Sequence, residues 1–143
     1  MFGRGFIFIF VFFASFTLSA GGPNARIKTN LGDIIIQLEQ ERAPISVSNF
    51  LNYVRSGSYD GTIFHRVIPG FMVQGGGHYS NLSQAREGAL IYNEAANGLK
   101  NVRGTIAMAR MNMIDSASRQ FFINVSDNDF LDFQVGSSCT REQ

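Results

Sequence analysis

Phe64-His65-Arg66-Val67-Ile68-Pro69-Gly70-Phe71-Met72-Val73-Gln74-Gly75-Gly76 is the stretch that decides the fold. Pro followed by Gly suits the two central positions of a type II turn, because proline presets φ near −65° and glycine accepts a positive φ. Apolar, β-prone residues flank that turn, so two antiparallel strands are expected. Strand side chains alternate between faces. Strict alternation puts Phe64, Arg66 and Ile68 on one face of the first strand, and Met72 and Gln74 on one face of the second. An arginine among large apolar groups admits two readings: a functional cation, or an ordinary hairpin residue whose stem covers apolar surface while its head reaches water.

Outward from the hairpin the pattern stays β-rich. Arg26 to Thr29 and Asp33 to Glu39 flank the turn residues Asn30-Leu31-Gly32 and are expected to form a hairpin. Val47, Phe50, Leu51 and Val54 recur at helical spacing, with Pro44 near the start and Gly57 just past the end, which predicts a short amphipathic helix. Further strands are expected at Thr105 to Met108 and at Gln120 to Val125. Gly75-Gly76-Gly77 lacks the Lys and Ser/Thr of a phosphate cradle and is expected to be a bend needing a positive φ. The polar stretch from Ser80 to Lys100 reads as a surface excursion. Short strands with one early helix predict a mainly β barrel or sandwich with helical plugs.

A length of 143 residues favours one domain. Seven of the 14 Phe fall within residues 1–20, so this segment differs in kind from the rest. Arg4, an apolar run from Phe6 to Leu18 and the small residues Ser19 to Gly22 read as a signal peptide, too short for a membrane span. Localisation is therefore expected to be periplasmic or secreted, with no membrane contact after cleavage. Beyond residue 20 the chain carries 11 basic and 11 acidic residues. That neutrality argues against nucleic acid as a partner. Cys139 is the sole cysteine and cannot close an internal disulfide.

Nucleophilic hydrolysis is disfavoured, because His65 and His78 are the only histidines and no nucleophile elbow is present. Their spacing also matches no standard metal-ligand set, so neither metal nor cofactor is expected. Asn81-Leu82-Ser83 and Asn124-Val125-Ser126 fit the N-glycosylation pattern, but the second falls in an expected strand.

The hairpin stretch, together with Asn-Gly-Leu-Lys-Asn at 97–101, GTIAMAR at 104–110 and SRQFFI at 118–123, closely resembles the cyclophilin family of peptidyl-prolyl cis-trans isomerases. The resemblance runs from about Arg26 to Asp132, and NVSDNDFLD at 124–132 looks like the bacterial branch. It implies a closed antiparallel barrel of eight strands capped by two helices, with residues 25–132 as the isomerase domain. Arg66 is implied to be the catalytic arginine. Phe71, Met72, Phe122 and Leu131 would line the pocket for the proline ring, and Gln74 and Gln120 would be its polar partners. The backbone of Ala109 and Arg110 would run beside the bound peptide, and Phe130 falls where many eukaryotic members carry a tryptophan that helps bind cyclosporin.

After Asp132 the family pattern continues into a glycine-rich turn, two strands and a helix, whereas residues 133–143 do not match it. An incomplete barrel lacking those last elements is therefore expected. The resemblance implies a monomer acting on proline-containing peptides and unfolded exported proteins, without cofactor or metal. The alternatives are a proline-peptide binding or holdase module with little turnover, an inactive fragment, and, without the resemblance, a lipocalin-like ligand barrel.

Overall fold

A computed structural model describes residues 21–134. The segment read as a signal peptide, residues 1–20, and residues 135–143 of the tail lie outside them. The chain is mainly β among the described residues, with six strands, one α-helix and 3-10 turns at Ala95–Asn97 and Asp129–Leu131. The expected first hairpin forms from β1 (Asn24–Thr29) and β2 (Gly32–Gln37), antiparallel with Thr29 opposite Gly32. The helix α1 (Pro44–Arg55) follows, with Pro44 in its first turn and Gly57, at φ +66°, just beyond its end. Four strands then make a second antiparallel sheet, β3 (Thr62–Ile68), β4 (Met72–Tyr79), β5 (Ile106–Met108) and β6 (Phe121–Asn124), in the spatial order β3-β4-β6-β5. The two sheets, of two and four strands, and the single helix give the mainly β architecture expected from sequence.

One core joins the sheets and the helix. Ala25, Ile36 and Leu38 from the first hairpin meet Val47 and Phe50 of α1 and Phe121 of β6, with Phe64, Tyr59, Ile106 and Met108 packed around them. Aromatic edges lock it: Phe121 is T-shaped to Phe50 at 5.6 Å, to Tyr59 at 5.5 Å and to Phe64 at 6.2 Å. Such pairs add about 0.5–1.5 kcal/mol each beyond the area they bury.

The excursion from Ser80 to Lys100 is held down at several points. Arg42 donates to the carbonyl of Asn97 at 3.1 Å and Asn97 donates back to the carbonyl of Arg42 at 3.1 Å. Glu94 accepts the backbone N–H groups of Ile45 and Ser46 at 3.0 and 2.8 Å. The residue before α1 is Ala43, which has no capping side chain, so a carboxylate from a distant loop takes the helix's first free donors.

Candidate functional site

The turn at Pro69-Gly70 forms as expected, with Phe71 N–H donating to the Ile68 carbonyl at 3.1 Å and Gly70 at φ +71°. From there Ile68 pairs with Met72, Val67 with Val73 and Arg66 with Gln74. The next pair is Phe64 with Gly75, so His65 is an extra residue bulged out of β3. Phe64 and Arg66 consequently lie on opposite faces, which corrects the strict alternation expected from sequence. Phe64 turns into the core, and Arg66 is left exposed on the outer face.

The glycine run hosts a second irregularity. Ile63 pairs with His78 while Phe64 pairs with Gly75, leaving Gly76 and Gly77 as a bulge within a strand that continues to Tyr79. Gly76 alone in the run has a positive φ, +81°. The bend expected there is thus a bulge inside β4 and not the end of a strand. Gly76 is also held tightly: a Cβ there would lie 2.9 Å from the rings of both Phe121 and Tyr59.

The two sheet registers carry a row of side chains across the outer face. Arg66 is opposite Gln74, Gln74 is opposite Phe122, and Phe122 is opposite Ala107. Met72 sits one pair further along that face, buried at 3% exposure between Ile68 and Asn124. Arg66 Nη1 donates to Gln74 Oε1 at 3.4 Å, and Gln74 Nε2 donates to Gln120 Oε1 at 2.8 Å. Ala109 N–H donates to the Gln120 carbonyl at 2.8 Å, so the chain just past β5 runs beside this row.

The loop after β6 folds back over the hairpin turn. Val125 N–H and Asn128 Nδ2 both donate to the Phe71 carbonyl, at 3.0 and 2.9 Å, and Ser126 Oγ donates to the Gly70 carbonyl. This brings the Phe130 ring to 5.5 Å from that of Phe71. Asn124, which the glycosylation pattern had singled out, is 1% exposed and donates to Thr105 Oγ1 at 2.9 Å. Arg110 is exposed and turns toward the carbonyl of Met111 at 2.9 Å. Arg110 and Leu131 also border a cavity of about 460 Å³ that includes Ile36, Leu38, Phe50 and Met108 of the core face. Arg66, Gln74, Gln120 and Phe122 do not border it.

Arg119 was not singled out from sequence. It is 0% exposed and donates to the carbonyls of Ser58, Gly76 and Arg86, each at 2.6 Å. The bulge takes the Gly76 carbonyl out of the strand ladder, and Arg119 satisfies it. Its guanidinium also lies 5.1 Å from the ring centre of Tyr53 and 5.5 Å from that of Tyr59. Burial pushes the Tyr59 hydroxyl well above its ordinary pKa, against the opposing pull of Arg119. That hydroxyl donates to the Arg119 carbonyl at 2.7 Å. Its sequence neighbours Ser118 and Gln120 are polar, so no local pattern marks it as buried.

His65 and His78 stack with ring centres 4.3 Å apart, tilted by 46°. Burial, and secondarily His78, hold the His65 imidazole below its ordinary pKa. Among the described residues no group of three or more His, Cys, Asp or Glu gathers as a metal site.

Residues 24–137 match the family model described as cyclophilin type peptidyl-prolyl cis-trans isomerase/CLD. Peptidyl-prolyl cis-trans isomerase A of Dickeya dadantii is 58% identical over 106 residues, which cover 74% of this chain and 56% of that protein. Peptidyl-prolyl cis-trans isomerase B of Escherichia coli is 58% identical over 105 residues, 73% of this chain and 64% of that protein. The chain thus spans between half and two thirds of the length of these relatives. Among solved structures, a cyclophilin-type isomerase of Cryptosporidium parvum, determined in the presence of the dipeptide Ala-Pro, aligns with a TM-score of 0.65 at 32% identity. That alignment covers 77% of this chain and 72% of the other.

Proposed function

Because the chain belongs to the cyclophilin-type peptidyl-prolyl cis-trans isomerase family, we propose that it accelerates cis-trans isomerisation of X-Pro bonds, with Arg66 as the catalytic residue. The observation that carries this reading is the outer-face row in which Arg66 stands opposite Gln74, with Phe122 on the far side of Gln74 and Met72 next along the same face. Phe71, Met72, Phe122, Phe130 and Leu131 would receive the proline ring. Gln74, Gln120 and the backbone at Ala109 and Arg110 would hold the peptide. The dipeptide Ala-Pro used with the Cryptosporidium parvum relative supports a proline-containing ligand.

The chemistry asks little beyond this. Rotation about the X-Pro bond breaks no σ bond, and its barrier of ~18–20 kcal/mol comes from amide resonance. In the twisted state the proline nitrogen loses conjugation, becomes pyramidal and can accept a hydrogen bond. A guanidinium keeps its charge at any working pH and donates only, so Arg66 favours the twisted state over either planar one. Substrate covering Arg66 displaces water and strengthens that interaction. The apolar ring pocket favours the twisted amide further, since that state is less polar than the planar one.

Arg4, the apolar run from Phe6 to Leu18 and the small residues after it support export, so the clients are unfolded exported proteins in a periplasmic or secreted setting. The protein works as a monomer. Exchange NMR on an X-Pro peptide tests the activity. The full chain accelerates exchange, and Arg66→Ala lowers kcat/KM ~100- to 1,000-fold, the scale of one preorganised donor. Equal rates for the two proteins would remove Arg66 from the mechanism.

A further inference from the structure

Glu87 lies on the exposed loop after β4, yet the backbone on both sides of it is tied to buried groups. The Arg86 carbonyl accepts from Arg119 Nη1 at 2.6 Å, and Gly88 N–H donates to the Tyr53 hydroxyl oxygen at 2.7 Å. Just before them, Ala85 N–H donates to the Gly77 carbonyl at 2.9 Å. Held between these anchors, Glu87 Oε1 lies 3.5 Å from Gln120 Nε2. The polar row of the outer face therefore has four members: Arg66 to Gln74 at 3.4 Å, Gln74 to Gln120 at 2.8 Å, then Gln120 to Glu87.

The order of donors and acceptors along that row is not arbitrary. A glutamine amide has one accepting and one donating end and can sit either way round. A guanidinium only donates and an ionised carboxylate only accepts. With Arg66 at one end and Glu87 at the other, one orientation satisfies every link: both amides turn oxygen toward Arg66 and nitrogen toward Glu87. Reversing either amide sets donor against donor or acceptor against acceptor. We propose that Glu87 is a positioning residue that fixes the polarity of the Gln120 and Gln74 amides and so presents Gln74 Oε1 to Arg66. This rests on the isomerase reading for its effect on rate, but its effect on the amides does not.

Glu87→Gln tests this well, because it keeps the shape while donating and accepting alike, which releases the polarity. The full chain and its Glu87→Gln, Glu87→Ala and Glu87→Asp variants are compared by exchange NMR on an X-Pro peptide and by the side-chain amide resonances of Gln74 and Gln120. Glu87→Gln and Glu87→Ala are expected to lower kcat about five- to tenfold with KM within about twofold, as expected for losing one charge-assisted hydrogen bond. Glu87→Asp recovers part of that loss. Both glutamine amide resonances move in Glu87→Gln, and in an Arg66→Ala background the same change costs nothing more. Unchanged kcat with unmoved glutamine resonances overturns the proposal. If the parent chain shows no isomerisation, the function fails separately, and the amide resonances still decide: movement at Gln74 upholds the chain of polarity, and none overturns it.

Discussion

Gly77 is pressed against Gln120: a Cβ at Gly77 would lie 2.5 Å from Gln120 Cδ and 2.7 Å from its Cγ. The contact is with the end of a movable side chain, not with backbone. Gly77→Ala should therefore displace the Gln120 amide while the sheet stays intact. Expected is a fall in kcat/KM of about tenfold, the equivalent of one hydrogen bond to a preorganised group. Thermal unfolding should shift little. Peptide exchange and a melting curve on the same sample check both halves.

Arg119 gives the opposite pattern. Replacing it with Met fills similar space but leaves the carbonyls of Ser58, Gly76 and Arg86 without their donor. Each buried acceptor left unmet costs about 1–3 kcal/mol, so a loss of at least about 3 kcal/mol is expected from urea titration. Arg119→Lys should recover only part, since an ammonium cannot span three carbonyls in a planar fork.

At the helix start, Glu94→Ala removes the acceptor for two backbone donors of α1 and a negative charge from its positive end. Destabilisation of about 1 kcal/mol is expected, with Glu94→Gln retaining part of it. Because Glu94 lies outside the Arg66 row, kcat/KM should remain near that of the parent below the melting transition.

Acid titration should show the His65 imidazole. Its pKa is held below the ordinary value of 6.5, so near that pH the native state binds fewer protons than the unfolded chain. Stability is then full above 6.5 and declines as pH falls through 6.5 toward the lowered value. The Asp132 carboxyl, lowered chiefly by the Asn101 backbone N–H, acts only below 3.8 and leaves this window clear. Urea midpoints at about pH 7.5 and about pH 5.5 should differ in the parent and converge in His65→Gln.

Local chemistry explains what the sequence disclosed. The Pro69-Gly70 turn sets its own dihedrals, and α1 announces itself by apolar spacing between Pro44 and Gly57, so both stand where expected. Residues 26–132 carried enough ordered resemblance to name Arg66, Gln74 and Gln120 together, and these do meet through hydrogen bonds. What stayed hidden depends on partners far along the chain. Nothing near Ala43 hints that Glu94 caps the helix. Arg119 reads as a surface charge until the Gly76 bulge supplies it with carbonyls. Glu87 gains meaning only once Arg119 and Tyr53 fix the loop around it. The bulge at His65 was equally invisible, because a period-two pattern contains no mark for an extra residue.

That extra residue sets which kinds of genetic change the hairpin can survive. Substitution of His65 leaves the spacing between Phe64 and Arg66 intact, so the strand should absorb many side chains there. Loss of the codon is a different event. With one residue fewer, Phe64 comes directly before Arg66, and because their partners Gly75 and Gln74 are already consecutive, both pairings and both faces are kept while the bulge disappears. Such a deletion keeps the reading frame and the ladder, and what it takes away is the contact of the His65 ring with His78 and the extra local twist of the strand.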